Sequence, residues 1–231
     1  MAPAMADGRV ILLSKQDRFS REAADFARGL LGERLLVFTG QVGDPYPDLS
    51  GLGPADTLVS FLSPWIVRQE DLERVAVAIN FHPASVDYPG IGCYNFALYD
   101  GAAEFGAVCH HMLAKVDTGL IVDERRFPLL PEDSVETLKL RTMETMVAMF
   151  RDLIALIARG EPLPLAGVHW TRRPYTRKQL HALKVITPDM DEAEVERRVR
   201  AVTYPGYPGA VLHRPDGTLH HYPVPDREPL A

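Results

Sequence analysis

Val75-Ala76-Val77-Ala78-Ile79-Asn80-Phe81-His82-Pro83 is the stretch that decides the fold. Its apolar first half reads as a buried strand, predicted over residues 75–81. Strand side chains alternate faces, so Asn80 and His82 share one face and Phe81 points to the other. Upstream, Val10-Ile11-Leu12-Leu13, Leu35-Leu36-Val37-Phe38 and Leu58-Val59-Ser60-Phe61-Leu62 are three more apolar runs of strand length. Between the first two, Ser20 is placed to cap a helix. Ala24, Phe26, Ala27, Leu30 and Leu31 carry that helix to Gly32. Residues 39–56, rich in Gly, Pro and Asp, read as loop, and a short helix is predicted over 69–74. Continuous apolar strands alternating with helices imply an α/β fold with a mostly parallel sheet and helices on both faces. Ligands of such sheets sit beyond the carboxyl ends of the strands, where Asn80 and His82 lie.

Downstream, Ala107-Val108-Cys109-His110-His111-Met112-Leu113 and Leu120-Ile121-Val122-Asp123-Glu124 read as two strands flanking Lys115-Val116-Asp117-Thr118-Gly119. A long helix follows. It starts at a capping-box-like Asp133-Ser134-Val135-Glu136. It repeats Val135, Leu138, Met146, Phe150, Leu153 and Ile157, and stops at Gly160 and Pro162. Met143, Met146 and Met149 read as core filler. From about residue 161, prolines and aromatics multiply. A polar helix over 191–202 reads as a solvated charged face. Ala210-Val211-Leu212-His213 and Thr218-Leu219-His220-His221-Tyr222 flank Pro215-Asp216-Gly217 as a hairpin. The predicted organisation is a catalytic domain over 1–160 and a small helix-and-hairpin extension over 161–231 packed on it.

The chain has 231 residues, 46 % apolar and 24 % charged, which suits one sizeable domain with an appendage. A net charge of −6 argues against a protein that coats nucleic acid. Cys93 and Cys109 are too few for a disulfide framework and fit a reducing compartment. Residues 1–8 lack a leader-type apolar core, and no apolar run reaches membrane-spanning length. The expectation is a cytoplasmic protein with no membrane or nucleic-acid partner. Ser14-Lys15-Gln16-Asp17-Arg18 after the first strand holds no glycine, which disfavours a nicotinamide or P-loop site. The adjacent pairs His110-His111 and His220-His221 face opposite sides of a strand and come without zinc spacing, so no metal is expected.

An amide, an imidazole and a carboxylate suit acyl chemistry. Asn80 can hold a developing oxyanion. His82 can manage a proton near neutral pH. Asp117 can orient that imidazole and stabilise its charged form.

Four blocks in order carry a resemblance: Thr57-Leu58-Val59-Ser60-Phe61-Leu62-Ser63-Pro64-Trp65-Ile66-Val67, Asn80-Phe81-His82-Pro83, Gly106-Ala107-Val108-Cys109-His110-His111-Met112 and Asp117-Thr118-Gly119. Together they resemble the 10-formyltetrahydrofolate-dependent formyltransferase family. The resemblance implies a Rossmann-like formyltransferase fold with Asn80, His82 and Asp117 as catalytic residues. It implies a folate pocket at Ser63, Pro64, Trp65, Ile66 and Val67, closed by the loop that carries Lys115 and Gly119, with His111 lining the cleft. The acceptor is then an amine in its neutral form.

Purine-pathway and tRNA-directed members carry a Lys or Arg where this chain has Pro89. Tyr88-Pro89-Gly90-Ile91-Gly92, Asn95-Phe96-Ala97 and the segments 171–178 and 203–210 resemble instead the sugar-nucleotide N-formyltransferases. That implies a nucleotide-linked amino sugar as partner, a 4-amino-4,6-dideoxy sugar on GDP or dTDP, for surface polysaccharide (lipopolysaccharide O-antigen) synthesis. Tyr88, Gly90, Ile91, Asn95, Arg173 and Tyr175 would bind it. Arg172, Arg173, Arg177 and Lys178 match a diphosphate as well as they match a solvated turn. Tyr175, Tyr204 and Tyr207 suit either a nucleotide base or local packing. Phosphoribosylglycinamide and methionyl-tRNA formyltransferases stay open as alternatives, as does a formyltetrahydrofolate hydrolase. The Met-rich helix and the hairpin both offer a homodimer face.

Overall fold

In the computed structural model, which describes residues 8–230, the opening strand becomes the fourth of a six-stranded sheet. In chain order the elements are β1 (Val10–Lys15), α1 (Arg18–Leu31), β2 (Leu35–Gly40), β3 (Thr57–Phe61), α2 (Gln69–Leu72), β4 (Val77–His82), α3 (Cys93–Asp100), β5 (Glu104–His111), β6 (Ile121–Pro128), α4 (Val135–Ala158), α5 (Arg177–Lys184), β7 (Val185–Ile186), α6 (Glu192–Val202), β8 (Val211–His213) and β9 (Leu219–His221). The leader expectation for residues 1–8 lies outside the described residues except at Gly8.

The sheet order is β2-β1-β3-β4-β5-β6. The first four strands are mutually parallel. β5 runs antiparallel to β4, and β6 antiparallel to β5. The nine residues between β5 and β6 are too few for the helical crossover that a parallel pair needs.

The two faces are covered unequally. On one, α1 and α4 bury a core in which the Phe61, Phe81 and Phe150 rings meet at centroid distances of 5.1 to 5.6 Å. Helices were expected on the other face too. There, among the described residues, the cover is the four-residue α2 and loop side chains such as Tyr46, Leu49, Trp65 and Val67, packed on Ile11, Leu13 and Leu58. The loop over 39–56 takes the place of a crossover helix.

The helix ends follow their caps. Asp17, not Ser20, caps α1: its carboxylate accepts from the Ser20 N–H at 2.7 Å, and the left-handed Gly32 ends the helix. α4 opens on a Ser134–Thr137 capping box. The charged α6 is not solvated all round. Ala201 and Val202 are buried in a core with Cys93, Phe96, Leu98 of α3 and Val135, Leu138 of α4. The hairpin pairs β8 with β9, and β7, which the sequence reading missed, adds in parallel to β8. α3 and α5 were also missed. Among the described residues no helix is long and apolar enough to cross a membrane.

Candidate active site

Asn80 and His82 leave the carboxyl end of β4 on the face opposite Phe81, as strand alternation requires. Register brings a third group. Asn80 pairs across the ladder with His110 of β5, and cross-strand partners share a face. The Asn80 Nδ2 lies 3.1 Å from His110 Nε2. The loop after β5 then returns Asp117 to the same spot. Its Oδ2 is 3.5 Å from His82 Nδ1 and its Oδ1 is 3.3 Å from His110 Nε2. All three of His82, His110 and Asp117 are buried.

Each imidazole has one nitrogen committed to the backbone. His82 Nε2 donates to the Tyr88 carbonyl at 3.1 Å, and His110 Nδ1 to the His111 carbonyl at 2.8 Å. The remaining nitrogen of each ring faces Asp117. With both rings neutral, those nitrogens carry lone pairs, and His110 Nε2 accepts from the Asn80 amide. Asp117 Oδ1 is then a buried acceptor without a hydrogen. A proton on either ring turns that ring's inner nitrogen into a donor to the carboxylate.

Asp117 holds its place by three features. It adopts a left-handed φ of 50°, uncommon for a residue with a side chain. Its Oδ2 accepts from the Gly90 N–H at 2.8 Å. Two residues on, Gly119 approaches the strand so closely that a Cβ there would lie 1.8 Å from the His111 carbonyl oxygen. Burial alone raises the Asp117 carboxyl, but His82, His110 and the Gly90 N–H outweigh it and bring it down to about 2. Burial lowers the His82 imidazole below its ordinary value, only partly opposed by Asp117 and the Tyr88 carbonyl. Cys93 is pushed up to about 12 by burial, and Cys109 well above its ordinary value, so neither thiol is a ready nucleophile.

Next to this cluster opens a cleft of about 270 Å³. Asn80, His82, His110 and Asp117 form its floor. Ser63, Trp65, Ile66 and Val67 form one wall, and Met112, Leu113 and Val116 another. Ile66 is 73 % exposed, an apolar rim with nothing packed on it. On the other side of Asp117 lies a second cavity of about 480 Å³, lined by Lys115, Gly119, His169, Trp170, Arg172 and Arg173 among others. Asp117 belongs to both.

The chain between β3 and the body of α4 holds this whole cluster, and it is what known proteins share. Its residues 60–154 match the family model described as formyl transferase. A GDP-perosamine N-formyltransferase from Brucella melitensis is 26 % identical over 150 residues, which are 64 % of this chain and 56 % of that one. The chain thus matches little more than half the length of that curated relative. A sugar N-formyltransferase from a Shewanella species superposes with a TM-score of 0.75 at 16 % identity, over 94 % of this chain and 97 % of that one. An N-formyltransferase from Helicobacter canadensis, solved with folinic acid and dTDP-3-aminofucose, gives 0.69 at 14 % identity, over 84 % and 80 %.

Not every expected side chain reaches the cleft. Gly90 and Ile91 line it, as do Ser63, Trp65, Ile66 and Val67, but Pro64 is absent from its lining. His111 points away, because His110 holds the Asn80 side of the strand, and contributes its carbonyl instead. Lys115 and Gly119 line the second cavity rather than the cleft, as does Arg173. Tyr88 packs its ring on Phe105 and reaches the site only through its carbonyl. The Tyr175 ring is sandwiched between Phe96 and the Arg172 guanidinium. Tyr175 works through its backbone, bridging Pro89 and Ile91 and so presenting the Gly90 N–H to Asp117. The Asn95 amide donates to the Ala201 carbonyl, tying α3 to α6. Sequence reasoning missed His110 and Trp170. The His-His pair was the signal for the first, and only the pairing with Asn80 chooses between the two.

Proposed function

We propose that the protein transfers a formyl group from 10-formyltetrahydrofolate to the amine of a nucleotide-linked amino sugar. The observation that carries this reading is Asp117, shared by two cavities and flanked by an amide and two imidazoles. The folate lies in the cleft, its ring system against the backbone of residues 62–67 and its formyl carbon beside Asn80. Ile66, Leu113 and Val116 supply the apolar rim that such a ligand covers. The amine enters from the Lys115–Arg173 side of Asp117, where the exposed Arg173 and Lys115 suit a diphosphate.

The neutral amine attacks the formyl carbon, and the carbonyl oxygen becomes an oxyanion. One Asn80 N–H is spent on His110, and the second is available to that oxygen. The proton lost by the attacking nitrogen passes to the His82–Asp117 pair. The carbon–N10 bond then breaks, and N10 takes the proton as tetrahydrofolate leaves. A lowered imidazole pKa keeps His82 neutral, and so able to accept, at neutral pH. A 4-amino-4,6-dideoxy sugar on GDP or dTDP, made for a surface polysaccharide, is the acceptor this reading favours, in the cytoplasm.

The test is to supply 10-formyltetrahydrofolate with GDP- and dTDP-linked amino sugars and follow both products. Stoichiometric tetrahydrofolate and formamide support the reading. Tetrahydrofolate with free formate and no formamide would make the protein a hydrolase. Titration calorimetry with GDP and dTDP alone selects the base.

A further inference from the structure

Trp170 lies beyond the matched domain, yet touches its centre. Its ring sits 5.8 Å from His82 and 5.2 Å from His110, centroid to centroid, at 75° and 79°. Its indole N–H donates to the Gly119 carbonyl at 3.0 Å. Around it, Val86, Val108, Ile121 and Val168 form a small apolar cluster. The segment that carries it is anchored on both sides, Ala166 N–H to the Ile121 carbonyl and Thr171 N–H to the Val86 carbonyl.

Those contacts address two problems of the site. Asp117 has a left-handed backbone that must be held from outside, and the Trp170–Gly119 bond grips the same turn two residues on. The histidine rings must be shielded from water, and the indole, which lines the second cavity, packs edge-on against both. We propose that Trp170 is a positioning residue for the reaction: through its N–H it fixes the Asp117 turn, and through its ring it shields one side of the two imidazoles from water. This rests on the formyl-transfer reading for its kinetics, but not for its structural part.

Two variants of the full chain separate the contacts. Trp170→Phe keeps a ring and loses the N–H. Trp170→Ala loses both. NMR titration of the His82 ring without substrate reads the seal, and steady-state kinetics read the turn. His82 faces Asp117, His110 and the Tyr88 carbonyl, and neither change replaces any of these groups. Trp170→Phe should lower kcat about tenfold and leave the His82 midpoint in place, with KM for both substrates within about twofold. Trp170→Ala should lower kcat about 100-fold and move the His82 midpoint upward, because water relieves the burial that depresses it. Wild-type kcat in both variants overturns the proposal, as does a rise in KM with kcat unchanged, which would make Trp170 a simple wall. Should Trp170→Ala not fold, the kcat of Trp170→Phe decides. If no amine is formylated by the wild type, the function reading has failed, and the His82 titration still tests the seal.

Discussion

The two faces of the central sheet do different work, and one strand serves both. Toward α1 and α4, β4 sends Phe81 into a closed aromatic cluster with Phe61 and Phe150. Toward the thin face and the carboxyl edge it sends Asn80 and His82 into a cleft. Where a full crossover helix covers the sheet, there is a core. Where four residues of α2 and a loop stand in for one, there is room for a ligand. The rigidity of the closed face thus places the chemistry of the open face, because both hang on the same backbone.

The comparison breaks if a closed-face change costs activity without stability, or an open-face change the reverse. Phe150→Ala should have the largest effect, a loss of about 3–5 kcal/mol in stability by urea or thermal unfolding. Its surviving folded fraction should keep the wild-type affinity for tetrahydrofolate. Asn80→Ala should lower formyl transfer about 100-fold or more. Its unfolding free energy should change by only about 1 kcal/mol, the worth of its bond to His110. Full turnover in that variant would remove the oxyanion assignment.

Acid sharpens the contrast further. The Asp117 carboxyl at about 2 lies below that of a free Asp, so its stabilisation is present above about pH 4 and is lost toward pH 2. His82 is depressed below about 6.5, so folding favours the neutral ring, and that contribution fades as pH falls below about 6.5. Both signs agree: the wild-type melting temperature should drop between about pH 7 and pH 5, and His82→Gln should flatten that slope. An equal slope in the variant would mean that His82 is not the group responsible. The smallest effect belongs to the rim. Ile66→Ala should leave stability within about 0.5 kcal/mol, since Ile66 is 73 % exposed. It should raise KM for the folate about fivefold, about 1 kcal/mol of apolar contact.

Much of the fold was legible because burial and periodicity are local. The strands β1 to β4, the ends of α4 and the β8–β9 hairpin follow from apolar runs, caps and a turn. α3 escaped notice because it is only eight residues long and its two polar residues, Asn95 and Asp100, form no stripe that would mark a helix. The charged face of α6 is largely solvated, while Val195, Val199, Ala201 and Val202 pack its other side into the core, a contact the sequence reading did not include. Asn80, His82 and Asp117 are one cluster in the structure, and their residue types had singled them out. Which way Tyr88 and Tyr175 turn their rings, onto Phe105 and Phe96, and the bond of the Asn95 amide to the Ala201 carbonyl were not legible, since they depend on long-range packing.

Alternation along β4 is a property of any strand, so the sequence alone put Asn80 and His82 on one side and Phe81 on the other. The choice of His110 over His111, the return of Asp117 between two imidazoles and the arrival of Trp170 from beyond α4 depend on register, on a left-handed turn and on long-range packing. Those are relations between segments distant in the chain, and no local pattern encodes them.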